Sequence, residues 1–464
     1  MNKDMTIGGK WNILGKDYQG DITFNEENGI IVLSIYYKDN KEFIAWMNKP
    51  TEIDVITGKL NQEIKCTLTD CQIVKRHSDS FVRHHIVILA RSMFLNLSKN
   101  KKDLLKFNEV HFHISNIIKW SQLSGFEYFD DKDYRLKIGY KFKDKVTIKI
   151  DDNTSVEFVP YLGSFNFDMQ VEKLDISQHV EVHIINKKET TFDNFLETFK
   201  MISNMITLAT SSKINVVEIK GINYKKYNGS VGKKKNYIKY QIITNLVKHD
   251  NVKNLDAERI NTYLFSLNNI AYKNRLKRWF DSYEEYSSIY NLYNLGINND
   301  VPDEIRFCNL MQALELLHTK QFKKVKKFFD HIDNKFKDNS NIIDLIKNNP
   351  DQSDEFIIIK NRLIDLFIND FSLTKTDENI INNIDIITTI FSDTRHYYTH
   401  YSEAKKSKSL SGTNLKYSIY ILDYLLSCFI LKNLSFDIEE INKNRELQLN
   451  NIKSKKMIEK IINN

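Results

Sequence analysis

Apolar and polar residues alternate along the first part of the chain, in short runs such as "GDITF", "GIIVLSIYY", "EVHFHIS", "KVTIKI", "SVEFV" and "VEVHII". A period of two, rich in β-branched and aromatic residues and broken by turn residues, predicts strands that bury one face. Residues 1–190 therefore read as a β-rich domain, a sandwich or a barrel-like sheet. At residue 192 the spacing changes to three and four in "TFDNFLETFKMISNMITLAT", with Thr190 or Thr191 available as N-cap. Residues 191–300 are expected to form a mostly helical connecting region. Its segment "NRLKRWFDSYEEYSSIYNLYNLG" ends on Gly296, which suits a C-cap, and Pro302 suits the start of the next helix.

Four amphipathic segments occupy residues 301–435: "PDEIRFCNLMQALELLHTKQFKKVKKFF", "SDEFIIIKNRLIDLFINDF", "ENIINNIDIITTIFSDTRHYYTH" and "TNLKYSIYILDYLLSCFILKNL". Their lengths and apolar spacing suit an antiparallel four-helix bundle. Residues 436–464 read as a charged, weakly helical and peripheral tail. The fold class is α+β: a β-rich N-terminal domain, a helical middle region and a C-terminal helical bundle.

Composition narrows the setting. With 41% hydrophobic and 27% charged residues, the chain is an ordinary folded one. Cys66, Cys71, Cys308 and Cys428 lack the spacing of a redox or zinc pair, which fits a reducing, cytoplasmic environment. The first residues hold no run of signal-peptide character, and the most apolar helix carries Asp423 within it, so no membrane partner is expected. A net charge of +7 is a mild bias toward polyanions. The phosphate-loop pattern of Gly, four residues, Gly, Lys and Ser or Thr is absent, which argues against ATP or GTP hydrolysis, and no cofactor is expected.

The candidate chemistry lies in "TRHYYTHY", where four residues separate Arg395 from His400 and His396 follows the arginine directly. On a regular helix His396 and His400 share a face, whereas Arg395 lies about 140° round the axis from His400. An imidazole that titrates near neutral pH can take a proton from a ribose 2′-hydroxyl or give one to a leaving 5′-oxygen. A guanidinium can hold the phosphate and stabilise the charge of the phosphorane. Because one histidine serves poorly as both acid and base, two copies of the segment meeting at a two-fold axis would complete the set. The plain alternative is a solvated helix end, where cations favour the C-terminal dipole.

Other polar groups receive plainer readings. Lys233, Lys234 and Lys235 in "YKKYNGSVGKKKNYIKY" mark a charged loop or boundary, or else a surface that attracts phosphate while tyrosines stack on bases. The first of these is the leading expectation; Tyr398, inside the motif, is a further RNA-contact candidate. "RHSDSFVRHH" reads as a solvated turn. His111 and His113, and likewise His179, Glu181 and His183, share strand faces and read as polar faces of half-buried strands, with no metal site expected.

The segment "TRHYYTHY", on the third helix of a bundle, resembles the signature of HEPN-domain ribonucleases, most closely the ApeA-type branch. That signature has an arginine, a polar residue that is commonly Asn, a spacer and a histidine; here His396 stands at the polar position. "LMQALELLHTKQF" resembles the first helix of such bundles, with Glu315 at an acidic position facing the motif. "GGKWNILGKDYQGDITFNEENGIIVLSI" resembles the opening of the ApeA N-terminal domain, through Gly9, Trp11, Gly20, Phe24 and Gly29. The resemblance implies a metal-independent endoribonuclease of phage defence, acting in abortive infection. It would be a homodimer with RNA as substrate, Arg395 and His400 as catalytic residues assisted by His396, and an N-terminal domain that senses a phage-derived trigger. The alternative is a bundle that binds RNA or a nucleotide, or dimerises, without cutting.

Overall fold

The computed structural model describes residues 4–25, 29–37, 44, 46–61, 63–79, 83–115, 117–130, 136–163, 177–212, 214–231, 234–247, 263–297, 301–337, 340–349, 356–369, 382–453 and 455–463. The chain divides into two compact units, Met1–Ile202 with Ile214–Glu258, and Ser203–Lys213 with Arg259–Asn464.

The first unit is β-rich. Strands β1 (Asp4–Ile13), β2 (Lys16–Asn25), β3 (Ile30–Tyr37), β4 (Glu52–Leu60), β5 (Lys65–Asp79) and β6 (Arg83–Leu95) pair in the ring β1-β2-β3-β6-β5-β4 and back to β1. Closure is visible at Ile88, which is opposite Leu33 on one edge of β6 and Ile73 on the other. A closed ring leaves no open edge for another chain to pair with. Trp11 fills its interior, fully buried, and donates its indole N–H to the carbonyl of Gly20 at 3.1 Å. Gly58 lies opposite Trp11, and a Cβ there would overlap the indole, so the packing requires glycine.

From β6 the sheet continues through β14 (Lys234–Thr244), β13 (Val216–Val231), β7 (Lys106–Ile114), β12 (Gln178–Thr191), β11 (Thr154–Leu162) and β10 (Val146–Lys149). A separate hairpin joins β8 (Phe126–Asp130) and β9 (Leu136–Tyr140). On one face of β7 and β12, Val110, Phe112, Ile114, Val180, Val182 and Ile184 are buried. Helix α1 (Phe192–Thr210) follows β12, and its Phe199 stacks on Phe112 at 4.0 Å between ring centres.

The second unit is helical. Omitting one-turn helices, it contains α2 (Arg275–Ile297), α3 (Asp303–Gln321), α4 (Val325–Lys335), α5 (Ser340–Lys347), α6 (Ile359–Asn369), α7 (Ile384–His400), α8 (Gly412–Asn433), α9 (Ile438–Lys453) and α10 (Lys455–Ile462). Helix α3 starts after Pro302, and Asp303 and Glu304 in its first turn favour the positive end of the helix dipole. It packs against α6, α7 and α8 around Leu310, Leu314, Leu363, Phe367, Phe391 and Leu422, all buried. Phe391 sits edge-on to Phe307 at 5.9 Å and tilted to Phe367 at 6.3 Å, which fixes α7 against α3 and α6.

Four local expectations need correction. Residues 191–300 also contribute β13 and β14, where buried Tyr240 and Ile242 alternate with exposed Lys239 and Gln241; glycine and asparagine in "GINYKKYNGSVGKKKNYIKY" suggested a loop. "RHSDSFVRHH" falls largely on β5 and β6, with residues 80–82 outside the described ones. Gly296 lies in the last turn of α2 with no left-handed backbone; a Cβ would lie 2.5 Å from Leu310 Cγ, so glycine permits close approach of α2 and α3. The tail is not peripheral, since Ile458 and Ile461 are buried and Arg445 bonds Asp423 at 3.1 Å. Asp423 also accepts from the Tyr293 hydroxyl at 2.5 Å, so the charge in the apolar helix is partnered.

Candidate active site

Helix α7 carries the arginine and both histidines of the motif in its last turns, and Tyr401 ends it in the left-handed conformation (φ 50°). The loop beyond is bound back onto the helix. Tyr398 donates its hydroxyl to the Leu410 carbonyl at 2.8 Å, and Thr394 accepts from the Leu410 N–H at 3.0 Å. Lys405 pairs with Asp393 at 2.5 Å. These ties set the orientation of the helix end and hold the chain after it.

Arg395 turns toward α3, where its Nη2 donates to Glu315 Oε2 at 2.6 Å. Glu315 thus faces the motif, on the helix where an acidic partner was expected. The pair is partly open, at 29% and 31% side-chain exposure, so an incoming phosphate could compete for the guanidinium. His396 and His400 are exposed on the neighbouring face, their ring centres 4.9 Å apart and planes at 52°. Two imidazoles one helical turn apart, open to solvent, could serve a substrate or a second copy of the bundle.

Arg362 of α6 also belongs to this corner. Its guanidinium donates to the Glu315 carbonyl at 3.3 Å and to the Thr319 hydroxyl, beside the Glu315–Arg395 pair. Burial lowers its pKa, Glu315 opposes this and Arg395 adds to it, which marks two cations within electrostatic reach. Cys308 on α3 lies beside Thr399 and Arg395, and burial raises its thiol pKa. Sequence reasoning missed Arg362; the signal available was an arginine inside the apolar "KNRLIDLF".

The lysine candidates lie apart from this corner in sequence and belong to the first unit. Lys233 lies outside the described residues, and Lys234 opens β14 opposite Val231. Lys235 is exposed, with its ammonium 4.7 Å from the Tyr227 ring centre, a cation over an aromatic face. Tyr398, the remaining candidate, has its hydroxyl engaged by the backbone as described.

A bundle with an arginine–histidine motif at the end of a core helix, faced by a glutamate from another helix, defines a HEPN-type domain. Residues 308–440 match the Apea-like HEPN family, a domain type generally associated with ribonuclease activity. Residues 6–279, more than half the chain, match ApeA N-terminal domain 1, and the chain belongs to the ApeA family. No curated protein matches it, and no solved structure does. Among the described residues no helix is long and apolar enough to cross a membrane.

Proposed function

We propose that the protein is a cytoplasmic, metal-independent endoribonuclease of bacterial anti-phage defence, which cleaves RNA at a site shared by two bundles. The observation that carries this reading is the corner of α3, α6 and α7. There Arg395 is held by Glu315 without being buried, and His396 and His400 stand exposed one turn apart. Arg395 takes the scissile phosphate and stabilises the phosphorane charge. His400 acts as base on the 2′-hydroxyl in one copy, and its counterpart in the second copy protonates the leaving 5′-oxygen. His396 assists, and Glu315 orients the guanidinium. The lysine-rich end of the β13–β14 hairpin offers further phosphate contacts, Tyr398 buttresses the motif, and the first unit receives a phage-derived trigger.

The test is cleavage of purified total RNA in chelator by the wild type, Arg395→Ala, His396→Ala and His400→Ala. A preorganised donor of this kind is worth about 10²- to 10³-fold in rate, so Arg395→Ala and His400→Ala should fall by at least that much. His396→Ala should retain part of the activity. Folded Arg395→Ala and His400→Ala proteins that cut as the wild type does would overturn the reading, as would an RNA-binding wild type that never yields products.

A further inference from the structure

The first unit contains a second cluster of chemically capable side chains, which the ribonuclease reading does not use. Strand β7 presents Glu109, His111 and His113 on one face, and β12 presents His179, Glu181 and His183 on the same face. The register sets His183 directly opposite His111 and Glu181 opposite His113. The imidazoles of His111 and His183 stack, with ring centres 3.4 Å apart and planes within 8°. Two carboxylates bracket them. Glu109 Oε1 lies 2.6 Å from His111 Nε2 and 3.5 Å from His183 Nδ1, and Glu181 Oε2 lies 2.9 Å from His183 Nε2 and 3.6 Å from His111 Nδ1.

This face is sequestered: His111, His183 and Glu181 are buried. Two carboxylates are thus set against a single stacked imidazole pair. The nearby ammonium groups of Lys145 and Lys220 are already matched, at 2.8 Å by Glu157 and at 2.6 Å by Glu218. His111 Nδ1 is buried and has no hydrogen-bond partner, its nearest carboxylate oxygen being the one 3.6 Å away. Buried negative charge beside two imidazoles is relieved by a cation that imidazole can ligate, and Glu109 Oε1, His111 Nε2 and His183 Nδ1 already face one another.

We infer that Glu109, His111 and His183 form a binding site for a divalent transition-metal ion, with zinc the best match to the donor set. One carboxylate oxygen and one nitrogen from each imidazole lie within 4.8 Å of one another, close enough to converge on one ion. Two nitrogens with one oxygen suit zinc, whereas calcium and magnesium take oxygen ligands. Three protein ligands leave a position open for water or a bound group. The supporting shell is present as well. His183 Nε2 bonds Glu181 at 2.9 Å, and the Tyr224 hydroxyl donates to Glu109 Oε2 at 2.8 Å, contacts that orient ligands and raise their basicity. The ion takes the place of the proton between Glu109 and His111, and the parallel rings must swing apart to share it. It ties β7 to β12 in the first unit, away in sequence from the α7 motif.

The experiment uses the full chain, stripped with chelator and titrated with Zn²⁺ against a chromophoric competitor. Wild type should bind one ion per chain, Glu109→Gln and His183→Gln should lose it with unchanged far-ultraviolet circular dichroism, and Tyr224→Phe should bind about tenfold more weakly. No uptake by the wild type, or full uptake by either ligand variant, would overturn the assignment. X-ray absorption at the zinc edge of the wild-type protein requires no variant to fold. Scattering from two imidazoles supports the site, and a shell of sulfur or of oxygen alone contradicts it.

Discussion

Glu315 and Arg395 meet at 2.6 Å across two helices, although 80 positions separate them in the chain. On the proposed reading, a carboxylate in this position would both aim the guanidinium and compete with a phosphate for it. Glu315→Gln keeps the shape and removes the charge. The pair is nearly one-third exposed, so its loss should cost under about 1 kcal/mol of stability. Cleavage should change far more than thermal stability, and equal changes in both would reduce Glu315 to a structural residue.

Arg362 should behave differently. Its guanidinium is half-buried and bonds the Glu315 carbonyl and Thr319, so Arg362→Ala leaves acceptors unpaired as well as removing a cation beside Arg395. A loss of about 1.5–3 kcal/mol is expected, together with weaker RNA binding. Denaturant titration and filter binding measure the two effects, and unchanged RNA affinity in a folded variant would remove Arg362 from the site.

The four cysteines should separate by burial. Burial pushes the Cys66 and Cys428 thiols up to about 12, and raises Cys71 further with help from Asp70. A raised thiol pKa leaves little thiolate near neutral pH, so these three should resist alkylation until the protein unfolds. Cys308, only half-buried, should react first in the native protein, with mass spectrometry after brief iodoacetamide treatment as the readout. Early labelling of Cys66 or Cys428 would show that those cores open more readily than their packing implies.

Gly296→Ala sets two effects against each other. Alanine is better than glycine in a helix by about 1 kcal/mol, but its Cβ would lie 2.5 Å from Leu310 Cγ. Overpacking of that kind costs about 1–3 kcal/mol. Thermal unfolding should show net destabilisation, and a more stable variant would mean that α2 and α3 separate easily.

Much of this organisation is legible in the sequence where a pattern is local. The period-2 runs "GDITF" and "GIIVLSIYY" identify β2 and β3 as strands, and the three-and-four spacing in α3, α7 and α8 identifies the bundle. Arg395, His396, His400 and Glu315 are visible through resemblance and helical geometry. What escapes is set by pairing at long range. Nothing local reveals that Ile88 is shared by β3 and β5 to close the ring, or that His183 falls opposite His111. Arg362 is hidden for a related reason, since only the packing of α6 on α3 brings it to Glu315.

The central claim is metal-independent cleavage by attack of the ribose 2′-hydroxyl, and the end groups of the products test it most directly. Wild-type protein incubated with RNA in chelator, with lysate from phage-infected cells added in a parallel arm, should yield fragments ending in 2′,3′-cyclic phosphate and beginning with 5′-hydroxyl. Fragments with 3′-hydroxyl and 5′-phosphate ends, or intact RNA in both arms, would contradict it.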